Sequence, residues 1–266
     1  MPFVTSKDGT RIGYSSVGSG PALVLVDGAL CWRASGPSGP LAAQLKDKFT
    51  VYTYDRRGRG ESGDTRPYAV EREVDDLAAV IDAAGGSAAV YGISSGAGVA
   101  LAAAESLGPQ KVTKMVLYEF PIFTDGSRHV DPSYASVMDE LIASGDGAGA
   151  VKHFMKNGVG VPGFAIFMMQ LMGVMKKMAP VAPTLAYDTR VVTPFWTYTP
   201  PPRSRWSHAT MPVLDIGGGK SPTWMQNAQV AVAAALPNAT HKTLPGQNHM
   251  VSPVAIAPMI KDFVLA

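Results

Sequence analysis

The sequence predicts an α/β fold, in which a mostly parallel sheet is covered by helices on both faces. Short apolar runs typical of buried strands alternate with longer segments of helical periodicity over most of the 266 residues. Hydrophobic residues make up 46% of the chain and charged residues 17%, which suits a large buried core and argues against disorder. Strands that alternate with helices favour parallel pairing, because the chain must cross the sheet between them.

The elements follow one another in a regular order up to about residue 121. Residues 70–84 carry Val74, Leu77 and Ile81 at helical spacing, with acidic residues in the first turn. The small residues of 97–104 favour a helix packed closely on the sheet. In chain order, we predict strands at 11–17, 22–26, 49–54, 87–91 and 112–118, and helices at 41–48, 70–84 and 97–104.

The regular alternation stops between about 122 and 205. This stretch is rich in Met, Gly and Pro, and it ends in Pro200-Pro201-Pro202, which continues neither a helix nor a central strand. Alternation then resumes, with strands at 213–216 and 239–244 and helices at 224–236 and after Pro253. We therefore predict a core formed by residues 1–121 and 206–266, with 122–205 inserted as a helical cap over the carboxyl edge of the sheet.

The bulk properties exclude several classes of protein. A net charge of +2 is too small to indicate a nucleic-acid partner. The N-terminus shows no secretory signal pattern, and the apolar run 164–175 is shorter than the ~20 residues that a membrane-spanning helix needs. The single cysteine, Cys31, cannot form an internal disulfide. We expect a cytoplasmic protein without a membrane partner, a metal or a cofactor.

The pentapeptide Gly92-Ile93-Ser94-Ser95-Gly96 carries the strongest signal for chemistry. It lies between an apolar strand and a helix, where a Gly-x-Ser-x-Gly turn lifts the serine Oγ above the edge of the sheet. The two glycines let neighbouring backbone pass without a Cβ clash. We therefore predict that Ser94 is a catalytic nucleophile. The alternative is a Gly-rich turn with a bystander serine.

A serine nucleophile needs a base, and the base needs a carboxylate that orients it. His249 is the best-placed histidine, because it lies in the loop between the last strand and the last helix. Glu119 is the preferred acid, since it directly follows the strand after the elbow and reaches the same edge of the sheet. Asp215 is the second choice for the acid, and Asp125 is the third.

The negative charge that develops on a substrate oxygen needs preorganised N–H donors. One donor is expected from the backbone of Ser95, which follows the nucleophile at a helix N-terminus. The other is expected from Gly28 or Ala29, in the turn after the strand that ends at Val26. The alternative for Asp27-Gly28 is a plain turn.

Together these residues resemble the α/β-hydrolase fold superfamily over nearly all of the chain outside the predicted cap. The run Tyr54–Ser62 looks like a structural turn of that superfamily, and Leu244-Pro245-Gly246…His249 is similar to its histidine loop. Two positions depart from the usual pattern. Asp27-Gly28 stands where many members carry His-Gly, and Lys220 stands where the acid is usual. The resemblance implies a Ser-His-acid hydrolase that needs no cofactor.

A closer likeness is to lactone hydrolases of the type that opens the macrolactone of zearalenone. Those enzymes also combine a Gly-x-Ser-Ser-Gly elbow, an Asp-Gly oxyanion turn and a Glu-x-Pro after the strand that follows the elbow. Here these are Gly92–Gly96, Asp27-Gly28 and Glu119-Phe120-Pro121. The acid position is also similar to that of haloalkane dehalogenases, which use an Asp nucleophile where this chain has Ser94. The likeness implies a lactone as one candidate substrate.

The predicted cap carries an apolar stretch that suits a hydrophobic substrate. Methionines recur between 168 and 178, and aromatic residues follow at 195–198. Because Met adapts to irregular apolar shapes, we expect the substrate pocket to contain Met168, Met172, Trp196 and Trp224. The alternative is that the Met-rich stretch forms the core of the cap itself or the contact surface of a homodimer.

The sequence thus predicts a serine hydrolase that cleaves a carboxylic ester or lactone of a hydrophobic small molecule through Ser94, His249 and Glu119. One alternative is that the same three residues hydrolyse a C–C or thioester bond or catalyse a peroxidation. A second alternative is a ligand-binding member of the fold without hydrolytic activity, against which the intact serine, histidine and carboxylate argue.

Overall fold

The computed structural model describes residues 2–266 and is organised around one sheet, which has eight strands within that range. In chain order the strands are β1 (Phe3–Thr5), β2 (Arg11–Val17), β3 (Ala22–Val26), β4 (Thr50–Tyr54), β5 (Ala88–Ile93), β6 (Val112–Tyr118), β7 (Val213–Gly218) and β8 (Ala239–Leu244). Their order in the sheet is β1-β2-β4-β3-β5-β6-β7-β8. Strands β3 to β8 pair in parallel, while β2 pairs antiparallel with β1 and β4. The mostly parallel α/β sheet is therefore confirmed.

Helices connect the strands, and several short ones lie between β6 and β7. In chain order the α-helices are α1 (Ser38–Leu45), α2 (Val70–Ala83), α3 (Ser95–Lys111), α4 (Tyr134–Ala143), α5 (Gly147–His153), α6 (Gly163–Leu171), α7 (Val174–Met178), α8 (Leu185–Val192), α9 (Thr223–Ala235) and α10 (Pro253–Leu265). A π-helical turn, Phe154–Val159, follows α5, and a 3-10 turn, Ala179–Thr184, precedes α8.

The sheet is buried on both faces, and strand side chains alternate between two apolar cores. In β3, Leu23 and Leu25 face the core that includes α1 and α10, whereas Val24 and Val26 face the core that includes α2, α3 and α9. A parallel strand that is covered on both sides is apolar at every position. This explains why β3 and β5 form continuous hydrophobic runs in the sequence.

The chain between β6 and β7 forms a third apolar cluster. Its members include Tyr134 and Met138 of α4, and they pack together with Leu30 from the loop after β3. Helix α8 lies against α3, since a Cβ at Gly98 would come within 2.5 Å of Val191 Cγ1. The 122–205 segment therefore lies next to the start of α3, where the Ser94 turn is.

The predicted elements differ from the structure mainly at their ends. Strand β1 was not predicted, because it is three residues long and largely exposed. Helix α1 begins at Ser38 rather than at 41, because Pro40 falls in the first turn, where a proline costs no helical hydrogen bond. Strand β7 runs to Gly218, two residues further than the prediction, and pairs with β8 along its whole length.

The apolar run 164–175 forms α6 and the beginning of α7. Only one face of α6 is buried, at Ile166, while Phe164 and Leu171 lie exposed on the surface. No helix among residues 2–266 is by itself long and apolar enough to cross a membrane. Gly163–Leu171 and Val174–Phe195 reach that length and composition only as a pair, which is bent by 79°.

Candidate active site

Ser94 lies in the turn between β5 and α3, in a strained backbone conformation. Its φ is 56° and its ψ is −130°, a combination that a residue with a side chain adopts only when the surrounding structure imposes it. A Cβ at Gly96 would lie 2.3 Å from Val26 O, so the turn approaches β3 more closely than any side chain would allow. The Ser94 N–H donates to Tyr118 O over 2.9 Å, which ties the turn to the end of β6.

His249 lies in the loop between β8 and α10, where it contacts Glu119. Its Nδ1 is 2.8 Å from Glu119 Oε2. Because a carboxylate oxygen can only accept, Nδ1 is assigned the proton and Nε2 presents a lone pair. The Tyr118 hydroxyl donates to Asn248 O over 2.6 Å and holds this loop at the end of β6. Ser94 and His249 both line one cavity, so the histidine faces the space in which the serine hydroxyl would react.

Glu119 is completely buried directly after β6 and has a φ of 50°. Its Oε1 accepts the Gly218 N–H over 2.7 Å, which leaves Oε2 for His249. The Gln229 side chain of α9 bonds both backbone groups of Phe120, accepting from its N–H and donating to its O, each over 3.1 Å. These bonds stabilise the strained backbone after β6, so that the carboxylate is held beneath the histidine.

Asp215 is also completely buried, but it pairs with a different histidine. Its Oδ2 lies 2.9 Å from Nδ1 of His241, on the neighbouring strand. Burial raises the pKa of Asp215 to about 6, against the lowering effect of His241. Asp125 accepts hydrogen bonds from Ser127 and Asn227 near the surface. The structure thus brings His249 together with Glu119 and His241 together with Asp215.

The turn after β3 passes directly beside the Ser94 side chain. A Cβ at Gly28 would lie 2.9 Å from Ser94 Cβ and 3.4 Å from Ser94 Oγ. Ala29 and Ser95 line the same cavity as Ser94. The N–H groups in the first turn of a helix have no acceptor within it, and a helix N-terminus favours negative charge. The backbone on both sides of Ser94 therefore offers donors of the kind that stabilise an oxyanion.

A buried ion cluster lies beneath this backbone. Arg56 Nε is 2.6 Å from a carboxylate oxygen of Glu73 on α2, and Asp188 on α8 bridges Arg56 and Arg59 over 2.8 and 2.7 Å. Burial raises the pKa of Asp188, but Arg59 and Arg56 lower it by a larger amount. The pKa of this carboxyl therefore lies below its ordinary value. The positive charges of the two guanidinium groups equal the negative charges of the two carboxylates. Because each charge is paired, all four groups stay ionised in the interior.

The cavity above Ser94 has a volume of about 150 Å³ and a mainly apolar wall. Trp196 and Trp224 belong to this wall, as the sequence predicts. Met168, on the outer face of α6, and Met172, directly after the end of α6, are instead 40% and 70% exposed. The structure corrects the expectation for these two methionines, because α6 turns Ile166 inward and both of them, one helical turn apart, outward.

Sequence reasoning missed Gln229 and Asp188, which support this site from a distance along the chain. Neither residue belongs to a motif. The one available signal is the turn Tyr54–Ser62, whose arginines need acidic partners if they are buried. Among residues 2–266, the His, Cys, Asp and Glu side chains form no group of three or more that could hold a metal ion. Lys220, at the usual acid position, is exposed, and its N–H donates to Gln247 O over 2.8 Å.

Comparisons with known proteins agree with this architecture. The model of the alpha/beta hydrolase family matches residues 18–258. The solved structure of an alpha/beta hydrolase from Sphaerobacter thermophilus is similar, with 46% sequence identity and a TM-score of 0.89 over 99% of this chain and 100% of that chain.

Two more distant structures show the same fold. An enol-lactonase from Burkholderia xenovorans is 20% identical, with a TM-score of 0.69 over the whole of both chains. An esterase from Exiguobacterium antarcticum is 17% identical, with a TM-score of 0.72 over 99% of each chain. From the family match and the 46% identical structure, the chain belongs to the alpha/beta hydrolase family and is an enzyme with hydrolase activity.

Proposed function

We propose that this enzyme is a serine hydrolase that cleaves a carboxylic ester or lactone of a compact hydrophobic molecule. One observation carries the proposal: His249 Nδ1 lies 2.8 Å from the buried Glu119 carboxylate, while His249 and Ser94 line the same apolar cavity. A histidine in this tautomer is a base for a serine hydroxyl, and the carboxylate stabilises the cation that forms.

The reaction follows from these roles. Ser94 Oγ attacks the acyl carbon while His249 Nε2 takes its proton, and the carbonyl electron pair moves onto oxygen. The backbone N–H of Ser95, with that of Gly28 or Ala29, stabilises this oxyanion. The intermediate then collapses to an acyl-enzyme, and the leaving alcohol takes the proton from His249. Water repeats the sequence and releases the acid; for a lactone, the alcohol and the acid leave as one molecule.

The size and lining of the cavity support a small apolar group on the acyl or the alcohol side. Its volume of about 150 Å³ is close to that of a cavity that holds benzene. The wall includes Phe123, Val192, Trp196 and Trp224, all apolar side chains, beside Ser94. We therefore propose a substrate with an aromatic ring or a short aliphatic chain of about six carbons at this position. The names of the enol-lactonase and the esterase above are consistent with cleavage of a carboxylic ester or lactone bond.

We also propose that the 122–205 segment is a cap that sets this specificity. It contributes Tyr134, Phe154, Val192 and Trp196 to the cavity wall, while the sheet and its loops contribute Ser94 and His249. Substitutions within the segment are then expected to change which ester is preferred, without changing which residue is acylated. In a cavity lined by apolar side chains, one methylene is worth about 1–3 kcal/mol of discrimination.

The mechanism is tested by labelling with a fluorophosphonate, followed by peptide mass spectrometry. We expect one adduct, on Ser94, together with turnover of p-nitrophenyl esters, and we expect Ser94→Ala to lose both while its thermal unfolding stays close to that of the parent. Folded protein that acquires no adduct and turns over no ester would contradict a serine mechanism, and binding of a small hydrophobic ligand without hydrolysis would then be the better interpretation.

The substrate class is tested with a series of p-nitrophenyl esters and a macrolactone. We expect kcat/KM to peak near the butyrate and hexanoate and to fall for the octanoate, because longer chains exceed the cavity. A macrolactone should react slowly for the same reason. A steady rise from acetate through octanoate, or a preference for the macrolactone, would show that the proposed size limit is wrong.

A further inference from the structure

We infer that Asp188 is a positioning residue. From α8, in the 122–205 segment, it orients the backbone N–H groups of the proposed oxyanion hole. The inference rests on the proposed function. The ion cluster of Arg56, Arg59, Glu73 and Asp188 contacts both sides of the proposed hole, through the backbone carbonyls of Asp27 and Gly28 and through the Ser95 hydroxyl. Asp188 is its member on α8.

The two arginines hold the carbonyl groups of the turn after β3. Arg56 Nη1 donates to Asp27 O over 3.2 Å, and Arg59 Nη1 donates to Gly28 O over 2.6 Å. In a trans peptide the C=O and the following N–H point in opposite directions. A guanidinium that fixes the Asp27 carbonyl therefore fixes the direction of the Gly28 N–H, and one that fixes the Gly28 carbonyl does the same for the Ala29 N–H.

The guanidinium groups also strengthen these donors. A hydrogen bond to the carbonyl oxygen of an amide polarises the whole peptide unit, and bonds in such a chain reinforce one another in a low-dielectric interior. Both Arg56 and Arg59 are fully buried, so water does not screen this effect. The N–H groups that follow Asp27 and Gly28 thus become better partners for an oxyanion.

Asp188 connects this turn with the other side of the hole. Its Oδ1 accepts from Ser95 Oγ over 2.7 Å and from Arg56 Nη1 over 2.8 Å, and its Oδ2 accepts from Arg59 Nη2 over 2.7 Å. One carboxylate therefore holds Ser95, which supplies one proposed donor, and both arginines that orient the Gly28 and Ala29 N–H groups, from which the other donor comes. Because Asp188 belongs to α8, the arrangement is complete only while α8 is packed on α3.

Asp188→Asn removes the charge that holds the two guanidinium groups while changing the shape of the side chain little. One oxyanion donor is worth about 10²–10³ in kcat. Donors that are misaligned rather than absent should retain part of this, so we expect kcat to fall about 10- to 100-fold, with KM within about threefold of the parent value.

The test combines kinetics on a p-nitrophenyl ester with the binding of two inhibitors. An aryl trifluoromethyl ketone adds to Ser94 and places an oxyanion in the hole, whereas the matching alcohol fills only the cavity. We expect Asp188→Asn to weaken the ketone by the same factor as kcat/KM and to leave the alcohol unchanged. Loss of packing alone would weaken both.

The matched control is Asp76→Asn. Asp76, on α2, is a similarly buried carboxylate that pairs with Arg57 over 2.7 Å. Arg57 lies in the same turn as Arg56 and Arg59. We expect Asp76→Asn to lower the melting temperature about as much as Asp188→Asn and to leave kcat and ketone affinity close to the parent values. Equal losses of activity in the two variants would overturn the inference, because the effect would then follow stability.

Arg59→Lys provides a second route if Asp188→Asn does not fold. Lysine keeps the positive charge but lacks the planar fork that reaches Asp188 and the Gly28 carbonyl together. We expect a similar loss of kcat and of ketone affinity, and unchanged values would overturn the inference. A parent enzyme that neither reacts with the fluorophosphonate nor turns over an ester would instead refute the proposed function, so the two failures are distinguishable.

Discussion

Glu119→Gln changes one oxygen of a completely buried side chain into an amide nitrogen and leaves its shape almost unchanged. In the parent enzyme both oxygens accept, one from the Gly218 N–H over 2.7 Å and one from His249 Nδ1 over 2.8 Å. A glutamine has only one acceptor for these two donors. Its amide nitrogen must therefore face either Gly218 or His249.

The two orientations of the glutamine amide differ in free energy, and the favoured one determines how far kcat falls. An amide nitrogen facing the Gly218 N–H would leave two buried donors opposed, at a cost of about 1–3 kcal/mol. The favoured orientation donates to His249 Nδ1 instead and forces the proton onto Nε2, so that the histidine can no longer accept from Ser94. In a serine protease triad the same change of tautomer lowers kcat about 10⁴-fold. We expect a similar loss here, equivalent to about 5 kcal/mol of transition-state stabilisation.

The assay is steady-state hydrolysis of p-nitrophenyl butyrate, with thermal unfolding to show that the variant folds. KM should stay within about threefold, because the Glu119 side chain does not form part of the wall assigned to the cavity. The matched control is Asp215→Asn, which alters the other buried carboxylate–histidine pair, 2.9 Å across, on the next strand. A Glu119→Gln enzyme with kcat within tenfold of the parent, or a larger loss in Asp215→Asn, would refute the reasoning.

Two further predictions concern space and pH. Gly28→Ala should lower kcat about 100-fold, because the new Cβ would lie 2.9 Å from Ser94 Cβ. The control is Gly163→Ala, whose Cβ meets no atom within 4 Å and which should leave kcat unchanged. Equal kcat values in the two variants would contradict this prediction. The pKa of Asp215 is raised to about 6 in the folded protein, so the folded protein keeps a proton that the unfolded chain loses near pH 4. Protonated Asp215 therefore stabilises the fold at acidic pH, and this contribution is lost as the pH rises through 6. In chemical denaturation, the stability of the parent relative to Asp215→Asn should therefore fall by about 3 kcal/mol between pH 3.5 and pH 7, and a constant difference would show that the pKa of Asp215 is not raised.

The sheet and the positions of Ser94 and His249 could be predicted because they depend on local signals. A strand–turn–helix pattern with glycines at both sides of a serine leaves few other structures, and the carboxyl ends of parallel strands meet at one edge. The same rule predicted the position of Glu119, because this residue directly follows β6, the strand that pairs with the strand of the elbow. The structure agrees with this rule by bringing Glu119 and His249 within hydrogen-bond distance.

Contacts between distant segments could not be predicted in this way. Asp188 lies 129 residues from Arg59 in the sequence, within a short helix that has no motif of its own. The orientation of α6 was equally inaccessible, because a helix that is apolar on most faces has no pattern to show which face is buried. The exposure of Met168 and Met172 could therefore be seen only in the packing of the whole 122–205 segment.

Gly218 prevents the proposed acid from being moved from Glu119 to the last residue of β7 without other changes. A Cβ at Gly218, the last residue of β7, would lie 2.8 Å from the Tyr118 hydroxyl and 2.7 Å from Gln247 O. Any side chain here would displace the two groups that anchor the histidine loop, and it would also disturb the N–H that Glu119 accepts. An acid at the end of β7 would thus require the histidine loop to move. An engineer who grafts a new specificity onto this scaffold should therefore leave the ends of β6 and β7 unchanged and alter only the residues that line the cavity.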